Sequence, residues 1–118
     1  MGEVEELLGD AGRRFQPELQ SRLKGLFGGI IQSYLPQVWV FETGDETASL
    51  LVDKTGAVSV VGGAAPHPDV TVKIPRERLV AALKTRDKEK VPPGPLTVTP
   101  HTAKGKTAFD YLRSRLGL

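Results

Sequence analysis

Apolar residues recur along this chain with two different periods, and the change of period divides it into helical and extended stretches. Val4, Leu7, Leu8, Ala11 and Phe15 follow helical spacing and predict a first amphipathic helix that ends at Pro17. A second helix is expected from Glu18 to Tyr34, where Leu19, Leu23, Leu26, Phe27, Ile30, Ile31 and Tyr34 form a stripe, with Pro36 beyond its end. Gly25, Gly28 and Gly29 interrupt the stripe. Each glycine in a helix interior costs roughly 1 kcal/mol relative to alanine. Either the helix breaks near Gly28 and Gly29, or another backbone approaches there, and an extended run starting at Ile30 is the remaining option.

From residue 37 the pattern becomes β-like. The runs QVWVFET (37–43), TASLLVD (47–53), AVSVVG (57–62) and DVTVKI (69–74) are rich in β-branched and aromatic residues and are separated by turn-forming segments. Short connections make the first three an antiparallel meander. Val70, Val72 and Ile74 alternate with Thr71 and Lys73, which predicts one buried and one wet face. Residues 38–41, VWVF, do not alternate, so cover on both sides is expected. A third helix follows over IPRERLVAALKTRD, with Pro75 at its first position and Leu79, Val80, Ala82 and Leu83 on one face. After the stiff break KVPPGP come a fifth strand, LTVT, and a last helix marked by Phe109, Leu112 and Leu116 and closed by Gly117. Thr107 and Asp110 fit a capping box at its start. The order ααββββαβα, with hairpin strands and segregated helices, predicts a single α+β domain over residues 1–118.

A chain of 118 residues is the length of one ordinary domain, and 39% hydrophobic with 25% charged residues is an average globular composition. The chain has no cysteine, which removes disulfides, thiolate metal sites and cysteine nucleophiles. It also has no asparagine, and its single methionine is Met1, a depletion that points towards a thermophilic source. No apolar run reaches membrane-spanning length and the first residues are acidic, so the expected location is the cytoplasm. The net charge of +2 comes from a small excess of cations. The densest basic places are Arg13-Arg14 and KTRDKEK (84–90), the second interleaved with acids, so no nucleic-acid partner is expected.

Candidate chemistry is sparse. PLTVTPHTAKGKTAFDYL (95–112) imitates a phosphate-binding loop in its strand, loop, Gly105-Lys106-Thr107 and helix. The position that must be the first glycine of such a loop is Pro100, which has neither the N–H nor the backbone freedom a phosphate cradle needs. LLVD (50–53), the imitation of a magnesium-binding strand, comes before the loop, and no parallel βαβ pattern carries the pair. His67 and His101 lie beside prolines in predicted loops, and Asp69 and Asp110 give them no metal-ligand spacing. A triad of Ser49 or Ser59 with His67 and Asp53 lacks a nucleophile elbow. The expectation is therefore a protein that is not an enzyme, with no metal and no cofactor.

Residues 48–83, ASLLVDKTGAVSVVGGAAPHPDVTVKIPRERLVAAL, resemble the centre of the sterol carrier protein type 2 domain, also called the sterol-binding domain. The likeness rests on an apolar strand running into a glycine turn (Val52 to Gly56), on Gly62-Gly63, and on the strand Asp69 to Ile74 leading into Pro75. The segment GPLTVTPHTAKGKTAFDYLRSRL is similar to the family's closing strand and helix. The sequence departs from the family at Thr99-Pro100-His101 and at Pro92-Pro93-Gly94-Pro95, where shorter glycine-bearing turns are common. The resemblance implies a five-stranded, mainly antiparallel sheet packed with helices around a hydrophobic tunnel. It also implies non-enzymatic binding or transfer of a fatty acid, fatty acyl thioester or sterol-like lipid. By position, the tunnel would be lined by Phe27, Ile30, Ile31, Tyr34, Trp39, Phe41, Leu83, Phe109, Leu112 and Leu116. From periodicity alone the same residues make an ordinary packed core. The alternative is then a protein–protein interaction module or homodimer on this fold.

Overall fold

The computed structural model describes residues 2–85, 88–113 and 118, with the side chains of Lys88 and Leu112 left aside. Of the expectations above, Arg86, Asp87, Leu116 and Gly117 fall outside the described residues. The elements are α1 (Glu3–Leu23), α2 (Gly28–Gln32), β1 (Gln37–Glu42), β2 (Thr47–Val52), β3 (Val58–Gly62), β4 (Val70–Lys73), α3 (Arg76–Thr85), β5 (Thr97–Pro100) and α4 (Ala103–Leu112), with a 3-10 turn at Lys88–Lys90. The fold class is α+β, as expected.

The two predicted N-terminal helices are corrected. Pro17 does not end the first helix but lies inside α1, which runs on for six more residues. An interior proline removes one hydrogen bond and crowds the preceding turn, at about 3 kcal/mol. Against this, Val4, Leu8, Ala11, Phe15 and Leu19 are all buried on one side of α1, and each large apolar side chain contributes about 1.5–3 kcal/mol on burial. Continuity of that stripe wins. The chain breaks after Leu23 instead, and the short α2 follows. A Cβ on Gly28 would lie 1.9 Å from the Leu23 carbonyl oxygen, so the chain can fold back here only with glycine.

The sheet has the order β3-β2-β1-β4-β5. β1, β2 and β3 form the predicted antiparallel meander, β5 pairs antiparallel with β4, and β4 lies parallel to β1. Register places Gln37, Trp39, Phe41, Ala48, Leu50, Val70 and Val72 on one face. Val4, Leu8 and Phe15 of α1, Leu79, Ala82 and Leu83 of α3 and Phe109 of α4 join most of these in one buried cluster.

β3 and β1 run in the same direction, so the chain must return along the sheet between Gly63 and Asp69 before β4 can begin beside β1. The return lies across the face opposite the helices. Ser49 pins it there, its hydroxyl donating to the Gly63 carbonyl (2.7 Å) and accepting from the Ala65 N–H (2.8 Å). Val40, the partner of Ser49 in the ladder, is thereby buried although it points away from the helices. This is the second cover that the non-alternating VWVF predicted. Among the described residues no helix is long and apolar enough to cross a membrane.

Candidate functional site

The interior between sheet and helices is centred on an aromatic seam. Trp39 on β1 and Phe109 on α4 meet edge to face, with ring centroids 5.2 Å apart and planes at 69°. Such a pair contributes roughly 0.5–1.5 kcal/mol beyond the burial of its area. Trp39 carries one polar atom into this apolar place, and its Nε1–H donates to Gln37 Oε1 at 2.9 Å. Gln37, itself buried, donates through Nε2 to the Tyr34 carbonyl. Among the described residues, no buried side-chain nitrogen or oxygen is left without a partner. The seam is therefore apolar and buried, with no unanswered polar group among the described residues.

α4 is fastened to this seam by its first turn. Thr102 is the N-cap, its hydroxyl accepting from Gly105 N–H (3.0 Å) while donating to Asp69 Oδ1 (2.9 Å). This corrects the expected capping box, since Thr107 lies inside the helix and the cap is five residues earlier. Asp69 accepts from the Val38 N–H through its other oxygen (2.9 Å), and its carbonyl accepts from His101 N–H (2.8 Å). Lys104 Nζ donates to the Pro36 carbonyl (2.8 Å) and lies 3.9 Å from Asp69 Oδ1. Further along α4, the Arg22 guanidinium of α1 lies 5.7 Å from the Tyr111 ring centre, a cation–π contact on the outside.

The ten residues expected to line a tunnel divide by place. Trp39, Phe41, Leu83 and Phe109 come together in the interior, each no more than 1% exposed. Ile31 and Tyr34 are half-buried. Phe27 and Ile30 do not face the interior: they stand 63% and 61% exposed, because the helix that would have turned them inward ends at Leu23. Leu112 lies on α4, and its side chain, like Leu116, is outside the described set. Three surface grooves of about 680, 570 and 310 Å³ run beside the β1–β2 turn, between α1 and β3, and at the β2–β3 end of the sheet. None of these three is lined by any of the ten.

Two positions with candidate chemistry, Asp53 and His101, are engaged in structure. Asp53 turns its carboxylate into its own hairpin, accepting from Thr55 Oγ1, Thr55 N–H and Ala57 N–H, and the Thr55 hydroxyl above all holds its pKa below the ordinary value. His101 Nε2 lies 2.9 Å from Thr71 Oγ1, and His67 is an exposed loop residue with φ of 54°. Among the described residues no group of three or more His, Asp or Glu side chains is placed to hold a metal ion.

Gln37, Asp69 and Thr102 organise the site without having been singled out as its parts. Only the β-strand start at Asp69 and a threonine three residues before Gly105 hinted at them.

No family model matches this chain, and no curated protein matches it either. Among solved structures it is similar to a chain described as a UbiJ-SCP2 ubiquinone synthesis protein, at 20% identity, over 89% of this chain and 88% of that one, with a TM-score of 0.49.

Proposed function

We propose that this chain is a non-enzymatic binder or carrier of an apolar ligand of fatty acid, fatty acyl thioester or sterol-like chemistry, held between the sheet and α4. The observation that carries the reading is the Trp39–Phe109 seam. It is aromatic and apolar, its polar atoms are satisfied internally, and small-molecule sites are mostly apolar with few directing groups. α4 is bolted down at its first turn through Thr102, Asp69 and Lys104, an arrangement that suits a helix acting as a wall pivoted at one end. The resemblance of residues 48–83 to the sterol carrier protein type 2 domain supports the same class of ligand. Catalysis would need an ionisable or nucleophilic group at the ligand, and the residues of the seam supply none.

Native mass spectrometry of the purified chain, before and after delipidation and after incubation with fatty acids and fatty acyl thioesters, tests the proposal. Adducts of lipid mass are expected. A chain that carries none as purified and takes up none afterwards is not a lipid binder.

One observation favours a second reading, an interaction or dimerisation module with a filled core: Trp39, Phe41, Leu83 and Phe109 are already at or below 1% exposure. Light scattering that finds a stable dimer, together with absent lipid uptake, would select it.

A further inference from the structure

Three of the five large apolar side chains that stand exposed among the described residues fall within five positions: Leu26 at 92%, Phe27 at 63% and Ile30 at 61%. They form a knuckle where α1 gives way to α2. The knuckle is fixed in shape. Gly28 N–H donates to the Gly25 carbonyl (3.1 Å), the Phe27 carbonyl accepts from both Ile30 and Ile31 N–H (3.1 Å each), and Gln32 Nε2 reaches the Lys54 carbonyl (3.4 Å). Phe27 and Ile30 are three residues apart across the start of α2 and share a side, with Leu26 beside them.

We propose that this knuckle docks the protein on an anionic lipid surface. All three side chains stand more than 60% exposed at the junction of α1 and α2. Protruding apolar side chains of this kind enter the soft boundary between headgroups and acyl chains without needing a matching pocket. Charge agrees. The chain has no acidic residue between Glu18 and Glu42, and Arg22, Lys24 and Lys54 frame the knuckle. The nearest acids are engaged: Glu18 pairs with Arg22 (3.3 Å), and Asp53 accepts from its own turn. Lys24 and Lys54 form no ion pair among the described residues, which leaves two ammonium groups for phosphate-bearing headgroups. Apolar insertion and basic attraction supply the two signals that peripheral attachment requires. The inference is independent of whether the interior holds a ligand.

Co-sedimentation of the full chain with vesicles tests it. Vesicles of equal parts phosphatidylcholine and phosphatidylglycerol are expected to pellet the protein, and pure phosphatidylcholine vesicles or high salt to pellet much less. Leu26→Glu, Phe27→Glu and Ile30→Glu together should lower the bound fraction by about tenfold or more. Lys24→Glu with Lys54→Glu should weaken binding by about tenfold and remove most of its salt dependence. These side chains face outward, so circular dichroism and thermal melting of the variants should match the parent, and Phe27→Ser alone gives a milder check. The proposal is overturned if the parent stays in the supernatant with anionic vesicles, or if the triple variant pellets equally well. It is overturned equally by light scattering that finds a dimer abolished by the triple variant, which would make the knuckle a contact between copies.

Discussion

Asp69, 6% exposed at the start of β4, accepts through one carboxylate oxygen from the Val38 N–H of β1 and through the other from the Thr102 hydroxyl that caps α4. Its backbone faces Gly105 so closely that a Cβ there would meet the Asp69 carbonyl oxygen at 2.5 Å and the carbonyl carbon at 2.9 Å. The glycine that imitates a phosphate-loop residue is thus a spacer that lets a helix touch a strand. Gly105→Ala must push α4 off β4, since backbone atoms cannot swing aside as a side chain can. A loss of about 1–3 kcal/mol is expected from such overpacking, read as a lower denaturant midpoint at unchanged slope.

A second single-residue effect concerns acid. Arg76 donates to both oxygens of Asp45 (3.1 and 2.9 Å), to Glu46 (2.8 Å) and to Glu3 (3.2 Å). The Arg76 guanidinium above all holds Asp45 below its ordinary pKa of 3.8. Glu46 is pushed up by burial, but the N–H groups of Glu5 and Val4 together with Arg76 outweigh this and leave it below 4.5. Both folded-state values are depressed, so the stability these carboxylates contribute is complete above the ordinary carboxylate range. It is lost as pH falls below about 4.5 and on through the folded values. Arg76→Met should lower the unfolding midpoint at neutral pH and flatten its decline below pH 4.5, as measured by thermal melts across pH.

At the scale of elements, α1 is a helix whose two anomalies are answered from elsewhere in the chain. Its N-cap, Gly2, offers no side chain, and the carboxylate of Glu46 takes that place, accepting from Val4 N–H (3.1 Å) and Glu5 N–H (3.0 Å). Pro17 forfeits a bond in mid-helix and is exposed, so nothing tertiary depends on its ring. Pro17→Ala should therefore restore that bond. Up to about 1 kcal/mol of the roughly 3 kcal/mol that proline costs in a helix is offset by its stiffening of the unfolded chain, leaving a gain of about 2 kcal/mol. A raised melting temperature with unchanged helicity would bear this out, and a lowered one would contradict it.

The same helix marks what could be read in the sequence. Alternation and turn residues placed β1 to β4 within one residue of their observed ends, because strand registers are set by local burial patterns. The wrong boundary at Pro17 came from weighing a local penalty without knowing how much apolar surface the sheet would offer to Phe15 and Leu19. Contacts between Glu46 and α1, between Asp69 and α4, and between β4 and β1 join residues more than thirty positions apart, and no periodicity encodes them. For the candidate site, Trp39, Phe41, Leu83 and Phe109 were legible as an inward face. The exposure of Phe27 and Ile30 was not, since it follows from where α1 stops.

For the whole molecule, the sheet is covered by helices on one face and, over β1, by the returning Gly63–Asp69 segment on the other. β1 is consequently buried on both sides, and the protein's only tryptophan sits at its middle. Trp39 therefore reports on the interior without any label. If an apolar ligand enters between β1 and α4, it must pass the Trp39–Phe109 contact, and a stearic acid carrying a nitroxide at mid-chain should quench the Trp39 emission at saturation. Phe109→Ala sharpens the test because it separates stability from uptake. Removing the ring should cost about 3–5 kcal/mol of folding stability, yet it enlarges the space beside Trp39. Lipid uptake by native mass spectrometry should then hold or rise while the melting temperature falls. A core that is simply filled behaves otherwise: the parent shows no quenching beyond that of free tryptophan, and Phe109→Ala loses stability without gaining a lipid adduct. That pair of outcomes would withdraw the ligand-binding proposal and leave the seam as packing alone.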